Sequence, residues 1–244
     1  MNIQLINPAR LLSKQTISLC SLLLLLSACH NSDNNTVITP PPVPVPVIYH
    51  YTVTVTNLTT AQPMSPVAVM LHNDGHFWTI GSAASVALEH LAEAGDNSML
   101  LVDPLVLASQ SEDGVLMPSA TASISVSITD NQPHFLSLAT MLVNTNDGFT
   151  GIDAVDISQL SVGDELTFMT DTYDAGTEKN SELQSTIPGP VAGGEGFNSE
   201  RDDVDVVAMH GGIVSHDDGL SQSVLSAANK FDNPTLSVTI TRVE

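Results

Sequence analysis

The residues best suited to chemistry in this sequence are aspartates in the turn-rich stretch between positions 144 and 177. Asp147, Asp153 and Asp156 fall in NTNDGFTGIDAVD, and Asp174 follows a β-like segment in YDAGT. Ca²⁺ takes roughly six to eight oxygen ligands from carboxylates, carbonyls and water. Asp147 and Asp174, about one strand apart, therefore form a candidate site for a hard cation. Asp153 and Asp156 we interpret as solvent-facing or turn residues rather than ligands.

The same two aspartates also fit a purely structural role. Asp147 precedes Gly148, and Asp174 precedes Ala175-Gly176, which are positions where an aspartate side chain caps a turn. The segment is not an EF-hand, because the glycine and the terminal glutamate of that loop have no counterpart. If Asp147 and Asp174 do bind an ion, the carbonyls of Gly148 and Phe149 and water are the expected remaining ligands.

Other catalytic or metal-binding patterns are weak. His72 and His76 flank Asp74-Gly75, a turn that prevents the shared helix face of a zinc-binding histidine pair. The sequence has no Gly-x-Ser-x-Gly elbow and no glycine-rich phosphate loop. We therefore expect a protein that is not an enzyme. Two alternatives stay open: a hydrolase acting on an envelope or extracellular polymer, and a structural envelope protein without a soluble ligand.

The amino terminus has the pattern of a bacterial export signal. Arg10 and Lys14 precede the apolar run 17–26, which ends in the lipobox-like tetrapeptide LSAC. Such a run indicates a cleaved signal, since a spanning helix needs about 20 apolar residues. We expect residues 1–28 to be removed and Cys29 to be lipidated, which makes a membrane the first partner. His30, where an aspartate would favour the inner membrane, indicates the outer membrane of the cell envelope.

The negative charge of the chain excludes some classes of binding partner. The formal net charge is −21, and cleavage after residue 28 would make it −23 because the signal contains two basic and no acidic residues. Such a surface repels nucleic acid and anionic lipid head groups and attracts divalent cations. Cleavage would also remove Cys20 and leave Cys29 acylated, so no thiol would remain for a disulfide or a zinc site.

Beyond the signal, the sequence predicts a tether and one domain. Residues 29–48 include PPPVPVPVI, which favours a semi-rigid polyproline II spacer. Residues 49–244 form the predicted domain. Alternating or continuous apolar patterns there predict strands, at 51–55, 66–72, 124–128, 135–143, 165–172, 205–209 and 236–240.

Few segments of this domain are helical in pattern. SAASVALEHLAEA predicts a helix over 82–94, capped by Ser82 and stopped by Gly95. Residues 98–109 are ambiguous between helix and strand, and 178–202 read as a loop. Several strands, polar turns and no βαβ rhythm indicate a mainly β fold. We expect an antiparallel β-sandwich with one or two short helices.

Two long motifs carry a resemblance to a known family. LSLATMLVNTNDGFTGID, which starts at Leu136, and the later YDAGTEKNSE resemble the spondin amino-terminal domain, with supporting flanks over roughly residues 50–243. The resemblance implies a C2-like β-sandwich with Ca²⁺ bound among the loops at one end. It places the family's two loop aspartates on Asp147 and Asp174.

One ligand of that family has no counterpart here. The family's third carboxylate, a strand glutamate, falls near Ser127, where no acid is present, although Asp130 is close in sequence. The resemblance therefore implies a weaker site. Together, the residues and the resemblance predict an exported, lipid-anchored, calcium-binding module of the surface or adhesion type. Its soluble partner would be an extracellular protein or glycan.

Overall fold

A computed structural model describes residues 43–244, so the predicted signal, Cys29 and most of the tether lie outside the described residues. The described chain is mainly β and forms two antiparallel sheets with two short α-helices. None of its helices is long and apolar enough to cross a bilayer. The mainly β sandwich expected from the sequence is confirmed.

The first sheet has four strands in the order β4-β1-β10-β7. They are β1 (Ile48–Asn57), β4 (Thr121–Thr129), β7 (Glu165–Thr170) and β10 (Leu236–Arg242). Side chains alternate between the two faces of a strand, and the inner residues Tyr51, Val53 and Val55 are fully buried. The outer face is rich in serine and threonine, with cross-strand hydroxyl pairs such as Thr54–Ser123.

The second sheet has six strands in the order β3-β2-β5-β6-β8-β9. They are β2 (Ala68–His72), β3 (Val106–Ser111), β5 (Phe135–Met141), β6 (Gly148–Asp156), β8 (Thr172–Asp174) and β9 (Ala208–Met209). One face packs on the first sheet, around Leu136 and Leu138. The other face packs against α1 (Val86–Ala94) and α2 (Ser98–Leu101), around Met70 and Leu88. The central strand β5 is thus buried on both faces, as its continuous apolar run predicted.

The helical boundaries differ from the prediction at one end. α1 begins after Ser85, whose Oγ accepts a hydrogen bond from the Leu88 amide at 3.1 Å; the predicted cap at Ser82 is wrong. Ser82 cannot start the helix because its carbonyl accepts the Val207 amide instead. Gly95 ends the helix in the left-handed region (φ 68°), as expected. The ambiguous segment 98–109 contains both α2 and the start of β3.

Two strand predictions are corrected near the candidate site. The stretch 148–156, which the sequence predicted to be turn-rich, is the nine-residue strand β6. Its polar residues suggested an exposed turn, but one of them, Thr150, is buried and forms hydroxyl pairs with Thr170 and Thr235. The predicted strand 165–172 divides at Asp171, so that β7 belongs to the first sheet and β8 to the second. The chain therefore crosses between sheets immediately before Asp174.

Strand β1 connects the entrance of the domain with this same region. The chain enters at Ile48, which pairs with Thr129, and β1 ends at Asn57. The Asn57 side chain donates to the Gln62 carbonyl at 2.8 Å, and the Gln62 side chain accepts the Asn144 amide at 3.2 Å. The far end of β1 thus lies beside the turn that carries Asp147.

Candidate metal centre

Pairing of β6 with β8 brings the two predicted aspartates together. Gly148, which follows Asp147, is the direct partner of Asp174 in the antiparallel ladder. The Ala175 amide donates to the Asp147 carbonyl at 3.2 Å. Asp147 is fully buried and Asp174 is half-buried. The structure therefore places the pair at the adjoining ends of two adjacent strands of the second sheet, Asp147 just before β6 and Asp174 at the end of β8.

A tight turn at the end of β5 fixes the position of Asp147. The Thr145 hydroxyl donates to the Leu142 carbonyl at 2.6 Å and accepts the Gly148 amide at 2.9 Å. A Cβ at position 148 would lie 2.6 Å from Thr145 Oγ1 and 3.1 Å from the His210 ring. Position 148 therefore requires glycine, because Thr145 and His210 approach its backbone too closely to leave room for a side chain.

The two oxygens of the Asp147 carboxylate have different surroundings. Oδ2 accepts hydrogen bonds from the amides of Thr177 (2.8 Å) and Glu178 (3.1 Å) and from the Thr177 hydroxyl (3.3 Å). Oδ1 is buried and has no hydrogen-bond partner. Buried polar atoms are almost always paired, so this unpaired oxygen, beside a second carboxylate, is a candidate ligand position. Asp147 does not cap its own turn; it binds a loop about thirty residues away in sequence.

Burial and a neighbouring acid make Asp147 reluctant to ionise without a cation. Burial, and to a smaller extent the charge of Asp174, raise the pKa of its carboxyl to about 7. The hydrogen bonds from Glu178 and Thr177 act against this rise. A positive ion beside Oδ1 would favour the charged form and remove the cost of burying it.

Asp174, unlike Asp147, caps the turn that follows it. Its Oδ1 accepts the Gly176 amide at 2.8 Å and its Oδ2 accepts the Asn180 side-chain amide at 2.5 Å. Gly176 has φ 70°, and a Cβ there would lie 2.4 Å from the Val206 carbonyl oxygen, so only glycine fits. The turn role expected as the alternative is thus present at Asp174, and it holds the carboxylate beside Asp147.

Two further buried acids near this pair were missed by the sequence reasoning. Burial, and to a smaller extent the charge of Glu93, raise the pKa of Glu178 to about 8. Burial also raises the pKa of Glu93, although the Asn198 amide donates to its Oε2 at 2.9 Å. Glu178 directly follows YDAGT, and Glu93 stands on α1 among apolar residues, where an acid is unusual. Those two features were the available signals.

His210 is the remaining group that faces the pair. Its Nδ1 accepts the Gly212 amide at 2.9 Å, so the neutral ring carries its proton on Nε2, and that atom is buried without a partner. Burial lowers the pKa of His210, while the charge of Asp174 opposes the shift. A protonated ring nitrogen cannot ligate a metal, so His210 in this tautomer is not a ligand.

The donor set fits a hard cation. Between residues 43 and 244, no salt bridge involves Asp147, Asp174, Glu178 or Glu93, so their charges are not neutralised by a basic side chain. No three His, Cys, Asp or Glu side chains in this part of the chain converge as a complete metal site by themselves. Two carboxylates, one with an open oxygen, together with carbonyls and water match calcium chemistry rather than zinc chemistry.

The less central predicted ligands lie in different places. Ser127 is exposed on β4, opposite His50. Asp130 adopts φ 58° after β4 and accepts the Val47 amide at 2.8 Å. It precedes the Phe135 end of β5, whereas Asp147 follows the other end, and a seven-residue strand spans about 20 Å. The structure does not bring Ser127 or Asp130 to Asp147.

The two predicted carbonyl donors belong to β6. The Gly148 carbonyl accepts the Leu142 amide at 2.8 Å, so one of its lone pairs is occupied. Phe149 is fully buried, and its ring packs against Trp78 and Tyr173, with ring centroids 5.3 and 5.4 Å away. These residues adjoin the site, and Phe149 stabilises the strand that directly follows Asp147.

Asp153 is not the solvent-facing residue that the sequence suggested. Its carboxylate accepts hydrogen bonds from the Ser137 hydroxyl (2.9 Å) and the Phe77 amide (3.1 Å), and it pairs with His76 Nδ1 (2.9 Å). His72 Nε2 lies 2.9 Å from the same hydroxyl. Ser137 is fully buried and stands between His72 and Asp153, whereas a catalytic triad has the histidine in the middle. This constellation supports the fold.

Comparison with known proteins agrees with the motifs around this centre. The family model described as Spondin_N matches residues 58–188, which is just over half of the chain. The chain belongs to the spondin amino-terminal domain family. The matched range includes Asp147, Asp174, Glu178 and Glu93, whereas His210 and β10 lie beyond it. Membership indicates an extracellular or secreted protein that acts as a binding or adhesion-type module. No curated protein matches the sequence.

Proposed function

We propose that this spondin-domain protein is an exported, lipid-anchored binding module whose calcium ion orders the loops of its contact face. The observation that carries the proposal is the open, buried Oδ1 of Asp147 beside Asp174. Asp147 and Asp174 would hold the ion, with carbonyls and water completing the shell. The ion would supply positive charge that neutralises the buried carboxylates, and the chain's own residues would position it.

Calcium at Asp147 would connect two segments of the chain. Asp147 ends the 144–147 turn, and its Oδ2 accepts hydrogen bonds from the amides of Thr177 and Glu178. Asp174 begins the loop that contains these two residues. An ion shared by Asp147 and Asp174 therefore fixes both loops relative to the sheet. Ordered loops at the end of a rigid β-sandwich are a common location for protein recognition.

The calcium step is tested by titrating calcium into chelated protein while following the melting temperature. A rise at or below millimolar calcium that is absent in Asp147→Asn and Asp174→Asn supports the site. The site is refuted if wild type and both variants have equal melting temperatures and equal responses to calcium. Turnover of ester, glycan or peptide probes by chelated protein would instead favour the hydrolase alternative.

The binding step is tested with envelope extract passed over immobilised protein with and without chelator. Calcium-dependent retention of a defined protein or glycan supports the proposal, whereas no retention under either condition favours a structural envelope component. For the anchor, the Cys29→Ser protein should lose its partition into membranes. Continued partition of that variant contradicts lipidation at Cys29.

A further inference from the structure

An apolar cleft lies at the same end of the sandwich as the candidate metal centre. Its volume is about 420 Å³, within the usual size of ligand pockets, roughly 300–1,000 Å³. Its lining contains no charged side chain and consists of Pro63, Ala94, Val115, Met117, Met141, Val143, Pro188, Gly189 and Pro190. Nothing in the calcium chemistry described above uses this cleft.

The walls of the cleft are held by backbone hydrogen bonds and close packing. Met64 pairs with both Leu116 and Leu142 in isolated bridges, which fixes the segments that carry Met117 and Val143. On the opposite side, the Ala192 amide donates to the Gly189 carbonyl at 3.0 Å, and a Cβ at Gly189 would lie 2.1 Å from the Val143 carbonyl oxygen. The cleft is therefore preformed.

Apolar side chains at the rim of the cleft face water. Val115 is 51% exposed and Met117 is 55% exposed; Val191, which follows the lining residue Pro190, is 38% exposed. A contiguous apolar surface of this kind marks a binding site more often than isolated exposed residues do. Methionine also adapts its shape to different apolar partners, and two methionines line this cleft.

The charges around the cleft are negative. Asp113, which is exposed, and Glu112 stand just before Val115 at the rim, and residues 43–244 contain 26 acidic side chains against four basic ones. The basic side chains of residues 43–244 bind elsewhere: Lys179 to Asp202, Arg201 to Glu89 and Asp205, Lys230 to Asp218, and Arg242 to the Leu160 carbonyl and over the Tyr49 ring. A partner that enters this cleft therefore meets none of the basic side chains of residues 43–244, and basic groups beside its apolar side chain would complement the acidic surface.

We propose that the cleft binds an apolar side chain presented on a basic segment of a partner protein. This inference rests on the proposed binding function and names the class of partner. The three prolines that line the cleft have no backbone N–H groups with which to pair a partner's strand. Recognition therefore proceeds through the partner's apolar side chain and the flanking charges. The cleft adjoins the metal centre because the Val191 amide donates to the Asn144 side chain at 3.4 Å, in the turn that carries Asp147.

A displayed library of random dodecapeptides, selected on calcium-loaded protein, tests the proposal. Selection is run in parallel on wild type, on Met117→Glu and on Met169→Glu. Met169 is 61% exposed on β7 and outside the cleft, so it controls for an added charge at an exposed methionine. We expect peptides with an aromatic or aliphatic residue flanked by lysine or arginine, at least tenfold depleted on Met117→Glu and unchanged on Met169→Glu.

Each outcome of the selection decides a different claim. Peptides that bind Met117→Glu as well as wild type, acidic or uncharged consensus peptides, or no enrichment at all overturn the cleft proposal. Selection repeated in chelator separates this claim from the calcium proposal. Peptides that need an intact Met117 but bind equally without calcium support the cleft and count against calcium ordering of the contact face.

Discussion

The Glu178 amide donates a hydrogen bond to Oδ2 of Asp147 at 3.1 Å, so two buried acids lie side by side without a basic partner. The pKa of each is raised, to about 7 for Asp147 and about 8 for Glu178. A fold that buries such a pair carries an electrostatic cost that a cation removes. This relationship motivates the first three predictions.

Replacing Asp147 by asparagine should abolish the calcium response. For wild type, calcium at about 100 times its Kd adds about 2.7 kcal/mol to the free energy of unfolding, which is roughly a 5–10 °C rise in Tm for a domain of this size. Asp147→Asn should show less than a quarter of that rise by scanning calorimetry. Asp156→Asn is the matched control, because Asp156 is exposed at the other end of β6. Equal responses of the two variants would count against the site.

Without calcium, the protein should lose stability as the pH rises. The pKa of Asp147 is about 7 in the fold and 3.8 ordinarily, so its contribution is most favourable below about pH 4 and falls until about pH 7. Glu178 extends the loss to about pH 8. For Asp147 alone the shift corresponds to about 4 kcal/mol.

Urea unfolding in chelator at pH 5, 6.5 and 8 measures this effect. Asp147→Asn isolates the contribution, since the remaining carboxylates are common to both proteins. The variant should lose less stability than wild type over this range and be the more stable of the two at pH 8. Parallel pH profiles would show that Asp147 is not a strained buried acid.

Glu178→Gln should weaken calcium binding by about tenfold, the lower range for groups that support a metal site. The reason is loss of a negative charge next to Asp147, without loss of the Glu178 backbone amide. Glu182→Gln provides the control. Glu182 is also buried, with an unpaired oxygen and a raised pKa. Only burial raises the pKa of Glu182, however, whereas neighbouring acids also raise that of Glu178. Isothermal titration calorimetry compares the two. A larger loss of affinity in Glu182→Gln would contradict this assignment.

Ser137→Ala should destabilise the fold by about 2–3 kcal/mol while leaving calcium affinity unchanged. The change removes the hydroxyl that donates to Asp153 at 2.9 Å and accepts the Ala154 amide at 2.8 Å. Ser125→Ala, at an exposed position on β4, should change stability by less than about 0.5 kcal/mol. Urea titration checks both. A neutral Ser137→Ala would show that the buried network is dispensable.

The sequence predicted the sandwich well because most strands follow simple rules. In β1 and β10 alternation of apolar and hydroxyl residues matches one buried face, and in β5 a continuous apolar run matches two. The same rules failed for β6, where Thr150 is buried and Asp153 is half-buried. Their hydrogen-bond partners, Thr170 and Ser137, are distant in sequence. Local patterns contain no information about such pairs.

The candidate centre was predictable only in part. The turn signals at Gly148 and Gly176 and the family motifs identified Asp147 and Asp174. Glu93 could not be assigned, because its approach to Glu178 depends on how α1 packs on the second sheet. Ser127 and Asp130 were proposed from closeness in sequence to a missing ligand, and the path of β4 and β5 places them away from Asp147.

The course of β1 has a mechanical consequence. The chain enters the sandwich at Ile48, and the Asn57 end lies beside the turn of Asp147, about 30 Å away for ten extended residues. Tension between an anchored amino terminus and a partner held at the loops would run parallel to the strands. The ladders of β1 with β4 and β10 would then be loaded in shear, with many hydrogen bonds resisting at once.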